Sequence, residues 1–451
     1  MGRQIEELAR FVAETQLDEI PQPVRAHAKL VLLDTLGVIL AGSERPEVRA
    51  LREGLGGTAG GGATVYASGW PGQDPRSAAL LNGIAGRAVE LCEGLRLASG
   101  QVAMQVLPGV LAVGEHAGAT GREMLAAFIL GYEAAARLAL GFTPRPLAHQ
   151  NGQALLLAAA GAGARLRGLD AAGVGRAMRI AAILMLTPSY TNAVAGATAL
   201  NVAGGMSGFA AGLAPELAMA GFAARDDAIE EALGQLVGDG FTTDHLTDGL
   251  GTNWAITRNY FRLYACCNPI HPALDCLKAA LAELEPRPDE IARIEVATYR
   301  FASVMRNPDP PNYFASKYSL PHAAAVMAVR GGAGFAEIDD SALADPEIAA
   351  LRRRVDIRED PAMTALAPRL RPAEVTLTLA NGRRSTHSTR SHRGDFEHPF
   401  APEELRAKFR QLAATLLTPE GAAAVEAAVD RCEEWRDASE LVAHLRRAQR
   451  A

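Results

Sequence analysis

Apolar residues recur with helical periodicity through most of the first 255 residues, which predicts a series of helices. Pro21 and Pro23 precede one of these runs and Gly42 ends it, as is typical of the two ends of a helix. The runs are rich in alanine and glycine, which favours closely packed helices in several layers. The clearest predicted helices cover residues 24–40, 78–90, 103–117, 122–138 and 152–166.

The pattern changes between residues 259 and 393. Residues 291–299 alternate between apolar and polar, as a strand does. Asn381 and Gly382 separate two further alternating runs, residues 374–380 and 384–390, which predicts a β-hairpin with a primed turn. From Pro402 the helical pattern returns and continues close to the C-terminus. We therefore expect an α+β unit in the middle of the chain, with the C-terminal helices rejoining the N-terminal bundle.

Composition and charge narrow the possible partners and the cellular location. The 451-residue chain has a net charge of −6, which gives no electrostatic reason to expect a nucleic acid or an anionic membrane as partner. Five cysteines do not make a disulfide framework, and a reducing cytoplasm fits them best. The apolar stretch 202–222 contains Pro215 and Glu216, so we interpret it as a buried helix and not a membrane span. The N-terminus lacks the pattern of a signal peptide.

The sequence predicts neither an organic cofactor nor a metal. Residues 54–59 match the G-x-G-x-x-A dinucleotide pattern, but they follow a predicted helix and lead into a short strand at 63–66, so we interpret them as a loop. There is no phosphate loop or paired cysteine ligand set, and the few lysines limit Schiff-base chemistry. We interpret the remaining candidate metal ligands as surface histidines, namely His387, His392 and His398.

Short segments spread in order along nearly the whole chain form a more specific signal. They are 33–38, 41–42, 79–83, Pro108, His149 with 168–170, Gly205, 217–218, 221–222, 261–267 with His271 and Asp275, 317–322, 393–395 and 405–409. Each segment alone is weak, but the ordered set resembles the MmgE/PrpD family, whose members include 2-methylcitrate dehydratases, cis-aconitate decarboxylases and iminodisuccinate epimerases.

The resemblance implies a mostly α fold, with a large all-helical domain built from both chain ends and a smaller α+β lid domain. The corresponding boundaries are 1–257, 258–395 and 396–451, with the active site in the cleft between the domains. It also implies a homodimer and a lyase, dehydratase-like, that acts on a small carboxylic acid by cofactor-free proton abstraction next to a carboxylate. Two alternatives stay open: an isomerase, epimerase or biosynthetic tailoring enzyme using the same proton abstraction, and a catalytically silent member that binds a metabolite.

The chain departs from the family where the chemistry normally resides. In the signature N-G-x-x-x-H-A-x-D-x-D-D, which begins here at Asn82, the histidine is Arg87 and the three aspartates are Glu90, Cys92 and Glu93. The histidine of a following H-P pair falls at Gln101, and a family lysine falls at Leu200 or, in a shifted register, at Ala199. Arginine does not release its proton near neutral pH, and leucine carries no charge. We therefore expect a substrate with fewer carboxylates than the family's tricarboxylates.

Eleven residues are candidates for the altered site, and each also has a plausible structural role such as capping, packing or ion pairing. The candidate acids and bases are His149, His271, Glu90 and Glu93. Arg262 stands where the family has a lysine, and it is the candidate clamp for a substrate carboxylate. The other candidate substrate-binding residues are Arg87, Gln101, Tyr264, Cys267, Lys317 and Tyr318.

Overall fold

The computed structural model describes residues 2–56, 61–98 and 100–447. Helices dominate the fold and the sheets are small, which confirms the predicted mostly α fold with a smaller α+β part. The helices of the first half are α1 Gly2–Glu14, α2 Gln22–Ser43, α3 Pro46–Leu55, α4 Pro75–Ala88, α5 Val102–Ala117, α6 Gly121–Gly141, α7 Ala154–Leu166, α8 Ala171–Ala181, α9 Tyr190–Val194, α10 Val202–Met219, α11 Ala228–Glu231 and α12 Asp244–Thr247.

Helix α10 is the centre of the bundle and packs against α4, α5, α7 and α8. Small residues allow this packing because the helix backbones come very close together. A Cβ atom on Gly83 of α4 would stand 2.6 Å from the carbonyl oxygen of Gly204 in α10. A Cβ atom on Gly205 would stand 2.4 Å from the carbonyl oxygen of Leu80, so glycine is required on both sides of this crossing.

The C-terminal segment forms three helices, α20 Pro402–Ala413, α21 Pro419–Asp430 and α22 Ser439–Arg447. The continuous helical run predicted here is therefore interrupted, because Thr418 caps a new helix with its side chain. Helix α20 packs against α2, and the Lys408 ammonium lies 2.6 Å from the buried Asp34 carboxylate.

The α+β part is built on a four-stranded sheet with the strand order β6-β5-β7-β8. Its strands are β5 Ile291–Thr298, β6 Val355–Glu359, β7 Ala373–Leu379 and β8 Arg384–Thr389. Strands β5 and β6 are parallel and the other pairs are antiparallel, with α13 packed against β7 and β8. The helices of this part are α13 His271–Leu284, α14 Arg300–Ser303, α15 Tyr313–Ser316, α16 Leu320–Arg330, α17 Ser341–Ala344, α18 Pro346–Arg352 and α19 Pro361–Thr364.

The predicted hairpin forms, but its turn is different from the predicted one. A primed turn of type I′ needs positive φ at both central residues, and here Gly382 has a φ of +87° whereas Asn381 has no positive φ. The backbone N–H of Leu379 donates to the carbonyl oxygen of Arg383 at 2.9 Å, so three residues, 380–382, lie between this hydrogen-bonded pair. The first half of the chain also contains four short strands, of which the sequence predicted only the first. They are β1 Ala63–Thr64, β2 Gly72–Gln73, β3 Phe142–Pro144 and β4 Gly238–Phe241.

Two other sequence interpretations concern membranes and nucleotides. Within the described ranges, α6 has the length and hydropathy of a membrane span, but 94% of that stretch is buried inside the protein, as in a core helix. The apolar stretch after residue 202 is the central helix α10. The dinucleotide-like pattern begins at the C-terminal end of α3, and its residues 57–59 lie outside the described residues.

Candidate active site

A cleft of about 1000 Å³ lies between the helical bundle and the sheet. Its walls come from the segment 144–150, from α9, from the 267–269 turn, from residues 299–305 and from the approach to β7 at 367–371. Five of the predicted site residues line this cleft: Glu90, Gln101, His149, Cys267 and Tyr318. A concave, partly apolar cavity with a few convergent polar groups is the usual form of a small-molecule site.

His149 is a buried side chain on the wall of the cleft. Its ring stacks against Tyr190, with the ring centroids 4.3 Å apart. The backbone N–H of Asn151 donates to Nδ1 at 3.2 Å, so the neutral ring carries its proton on Nε2. Burial, together with the nearby charge of Arg87, lowers the His149 pKa to about 3, although Glu90 opposes this shift. His149 is therefore a neutral imidazole at neutral pH, with Nε2–H as a hydrogen-bond donor.

A network of side-chain amides holds the loop that carries His149. Asn151 Nδ2 donates to Gln101 Oε1 at 2.6 Å, and Gln105 Nε2 donates to Asn151 Oδ1 at 3.0 Å. Gln105 Oε1 accepts the backbone N–H of Gly152 at 2.6 Å. Gln101 thus lines the cleft and also positions the turn that follows His149.

Glu90 is enclosed by two arginines at the inner end of the cleft. Its carboxylate lies 2.9 Å from the Arg87 guanidinium and 2.7 Å from that of Arg262, and the Tyr318 hydroxyl donates to it at 3.3 Å. Burial would raise the pKa of Glu90, but the two guanidinium charges outweigh burial and lower the pKa to about 2. Glu90 also has a left-handed φ of +52°, a conformation that a non-glycine residue keeps only when its surroundings enforce it.

Arg87 and Arg262 lie beneath the cleft and do not line it. Arg262 donates to the carbonyl oxygens of Glu90, Cys92 and Cys266, in addition to its ion pair with Glu90. Since its donors already have protein partners, the structure corrects its predicted role as a clamp for a substrate carboxylate. Arg87 forms its own ion pair with Glu90 and donates to the Tyr318 hydroxyl at 3.5 Å, so both of these partners lie between it and the cleft.

Four other predicted residues lie away from the cleft. Glu93 accepts hydrogen bonds from the Ala103 backbone N–H and the Tyr132 hydroxyl, and burial raises its pKa to about 7. His271 Nε2 donates to the Cys266 carbonyl oxygen, and Lys317 donates to the Ile338 carbonyl oxygen in the interior. Burial lowers the Lys317 pKa to about 7. Tyr264 donates to Asp275 at 2.8 Å and lines a separate open groove. None of these four side chains lines the cleft, whereas the sequence analysis placed all of them in one site.

Leu200, which stands where the family has a lysine, is buried in the hydrophobic core and does not line the cleft. The cleft residues that the sequence missed include Arg371, Tyr299 and Tyr190. Arg371 is one of many arginines in the chain, and no local pattern marks it. Tyr299 ends the run 291–299 that predicted a strand, which hid any other role. In residues 2–56, 61–98 and 100–447, no group of three or more His, Cys, Asp or Glu side chains is placed to hold a metal ion.

Comparison with known proteins places both parts of the chain in one family. Residues 6–244 match the MmgE/PrpD N-terminal domain, and residues 264–434 match the MmgE/PrpD C-terminal domain. The chain is 23% identical to a cis-aconitate decarboxylase of Aspergillus terreus, over 97% of this chain and 94% of that protein. It is 24% identical to a second Aspergillus terreus cis-aconitate decarboxylase, over 91% of this chain and 89% of that protein. The match to the N-terminal domain alone covers more than half of the chain. The chain therefore belongs to the MmgE/PrpD family.

Proposed function

We propose that the protein is a lyase that acts on a carboxylic acid and uses His149 as the hydrogen-bond donor to the reacting part of the substrate. The family and its decarboxylase relatives support the lyase class. The observation that carries the role of His149 is the tautomer: Asn151 occupies Nδ1, which leaves a proton on Nε2. Proton loss next to a carboxylate and loss of CO2 both build negative charge on a substrate oxygen, and a fixed donor there lowers the barrier.

The other titratable groups of the cleft make weak bases at neutral pH. Glu90 is held ionised by two arginines, and its lowered pKa makes it a poor acceptor of a carbon-bound proton. Burial raises the pKa of Cys267 to about 12 and also raises the pKa of Tyr190 and Tyr318. This environment supports a reaction in which the protein stabilises a developing anion, so within the lyase class it favours loss of CO2 over abstraction of a proton.

The test is a panel of small carboxylic acids assayed for three outcomes: release of CO2, loss of water, and exchange of the α-proton with solvent deuterium. CO2 release or loss of water supports a lyase, whereas exchange without either product supports an isomerase. A protein that binds acids and gives none of the three outcomes is a silent member, and the proposal then fails.

Two variants separate a donor from a base once turnover is found. His149→Leu should lower kcat by about 10²–10³-fold, the usual effect of removing one such donor. His149→Gln should keep part of this activity, because its Nε2 can donate from a similar position, whereas a base role predicts equal loss in both variants. The exposed His245→Leu is the matched control and should leave kcat unchanged. Unchanged kcat in His149→Leu would remove His149 from the mechanism.

A further inference from the structure

Among the described residues, the cleft contains one buried cation that forms no ion pair. Arg371 is 8% exposed and lines the cleft, where it donates to Asn268 Oδ1. In the described part of the chain it forms no ion pair. Two other arginines reach the mouth of the cleft, but Arg300 pairs with Glu359 at 3.2 Å and Arg145 lies 3.6 Å from Asp239. The Asp395 carboxylate acts on Arg371 through space, but it already pairs with Arg96 at 2.8 Å. A buried cation without an ion-pair partner is costly, and an anionic ligand group would offset that cost.

A second unused donor lies beside Arg371. The Tyr299 side chain is 3% exposed and lines the cleft, and its hydroxyl has no hydrogen-bond partner among the described residues. Strand pairing brings the two residues together, because Thr298 at the end of β5 pairs with Ala373 at the start of β7. The Thr298 hydroxyl also donates to the Pro372 carbonyl oxygen at 2.9 Å, which fixes this end of the sheet. Buried hydroxyls normally have partners, so the Tyr299 hydroxyl on the cleft wall is available as a donor to a bound ligand.

The mouth of the same cleft is apolar. Leu147, Phe301 and Val304 line it and are 67%, 38% and 46% exposed, which is unusual for three large apolar side chains on one rim. A cavity of about 1000 Å³ is also far larger than a small acid needs, since pockets of roughly 300–1,000 Å³ enclose drug-sized ligands.

We propose that the cleft binds a single carboxylate through Arg371 and Tyr299, and that the substrate is a monocarboxylic acid whose larger apolar body lies along Leu147, Phe301 and Val304. This inference rests on the proposed function for the identity of the cleft as the substrate site. A second carboxylate would meet the apolar rim or the Glu90 carboxylate, where no unpaired cation of the described residues faces it. Its desolvation would therefore go uncompensated.

Calorimetric binding of unreactive acids tests this without requiring turnover. The probes are straight-chain monocarboxylates from butanoate to decanoate, the dicarboxylates of equal length, and the primary amides of the monocarboxylates. Affinity for monocarboxylates should rise by about fourfold for each methylene buried at the rim. Dicarboxylates should bind at least tenfold more weakly than monocarboxylates of equal length. Tighter binding of the dicarboxylates, or affinity independent of chain length, would overturn the proposal.

Variants assign each part of the ligand. Arg371→Gln should weaken binding of the acids by more than tenfold and leave the amides unchanged, while Arg371→Lys should restore part of the loss. Tyr299→Phe removes only the unpartnered hydroxyl, so the fold should persist, and acid binding should weaken several-fold. Val304→Asp should weaken decanoate but not butanoate. The matched control is Arg293→Gln, whose guanidinium pairs with Asp356 outside the cleft, and it should leave acid binding unchanged. Unchanged acid binding in both Arg371→Gln and Tyr299→Phe would overturn the assignment.

Two further results distinguish this proposal from the proposed catalytic role of His149 and from an interface between two copies of the chain. Calorimetric binding requires no turnover, so a failure of the proposed catalytic role of His149 leaves the binding result with Arg371 and Tyr299 variants intact. The rim could instead be covered by a second copy of the chain. In that case Leu147→Ser would dissociate the dimer in light scattering and leave decanoate affinity unchanged, and that outcome overturns the apolar-body half of the proposal.

Discussion

Replacing Glu90 with glutamine should strongly destabilise the protein. The change leaves the guanidinium groups of Arg87 and Arg262 buried, without the carboxylate that lies 2.9 and 2.7 Å from them. Removing one partner of a buried ion pair typically costs about 3–5 kcal/mol, because the remaining charge stays out of water without compensation. Here two cations lose the same partner, which places the expected loss at the upper end of that range.

The size of the chain converts this loss into a small but measurable shift in melting temperature. An unfolding entropy of about 2.1 cal/mol/K per residue gives roughly 0.9 kcal/mol/K for 451 residues. A loss of about 5 kcal/mol therefore lowers the expected Tm of Glu90→Gln by about 5 °C, measured by scanning calorimetry at pH 7. Glu440→Gln is the control: Glu440 pairs at 3.5 Å with Arg436, whose side chain is 91% exposed, and its loss should shift Tm by less than about 1 °C.

A double variant checks the reason for the loss. Arg87→Met together with Glu90→Gln removes one of the two stranded cations, so part of the lost Tm should return. A Tm of Glu90→Gln within 1 °C of the wild type would refute the reasoning, since it would mean that the two arginines do not depend on Glu90. A double variant less stable than Glu90→Gln alone would show that Arg87 contributes through packing and not through charge.

Four further predictions follow from the buried charges, the surface and the sequence. Because the folded pKa of Glu93 is raised to about 7, its stabilising contribution is present below pH 4.5 and is lost as pH rises through 7; urea unfolding at pH 5 and pH 8 should show a smaller pH dependence for Glu93→Gln than for the wild type. Since the His149 pKa is lowered to about 3, the pH profile of kcat/KM measured from pH 5 to pH 8 should show no histidine titration near pH 6.5. Light scattering at micromolar concentration should give a homodimer, because Ile183, Phe222 and Leu236 leave large apolar side chains exposed, and a stable monomer would contradict this. Gently purified protein should show no absorption band in the visible range, and such a band would contradict the predicted absence of an organic cofactor.

The sequence predicted those elements that local patterns determine. The helix after Pro21, the strand from residue 291 and the hairpin at Asn381-Gly382 all form close to the predicted bounds. Each depends on periodicity and on residues with restricted backbone angles, and those signals lie within a few positions of one another. The turn type was missed because it depends on the φ of Asn381, which the residue type does not determine.

The cleft could be predicted only in part, because its charges meet over long sequence distances. Arg262 was predicted to bind substrate, but it is neutralised by Glu90, which lies 172 residues away along the chain. Arg371 gains its position from the pairing of β5 with β7, and no local signal separates it from the chain's other arginines. His149 lines the cleft as expected, but its tautomer depends on the Asn151 amide, which only the folded loop reveals.

The ion pair between Asp34 and Lys408 has a consequence for synthesis of the chain. The two residues are 374 positions apart, so at about 5–20 residues per second Asp34 waits roughly 20–75 s before its partner is made. Throughout that time α2 lacks α20, the helix that packs on it, and the Asp34 carboxylate, which is buried in the folded protein, lacks the Lys408 ammonium. The α+β part, by contrast, has all of its strands by residue 389. On the ribosome, the middle of this protein can therefore fold before its beginning can.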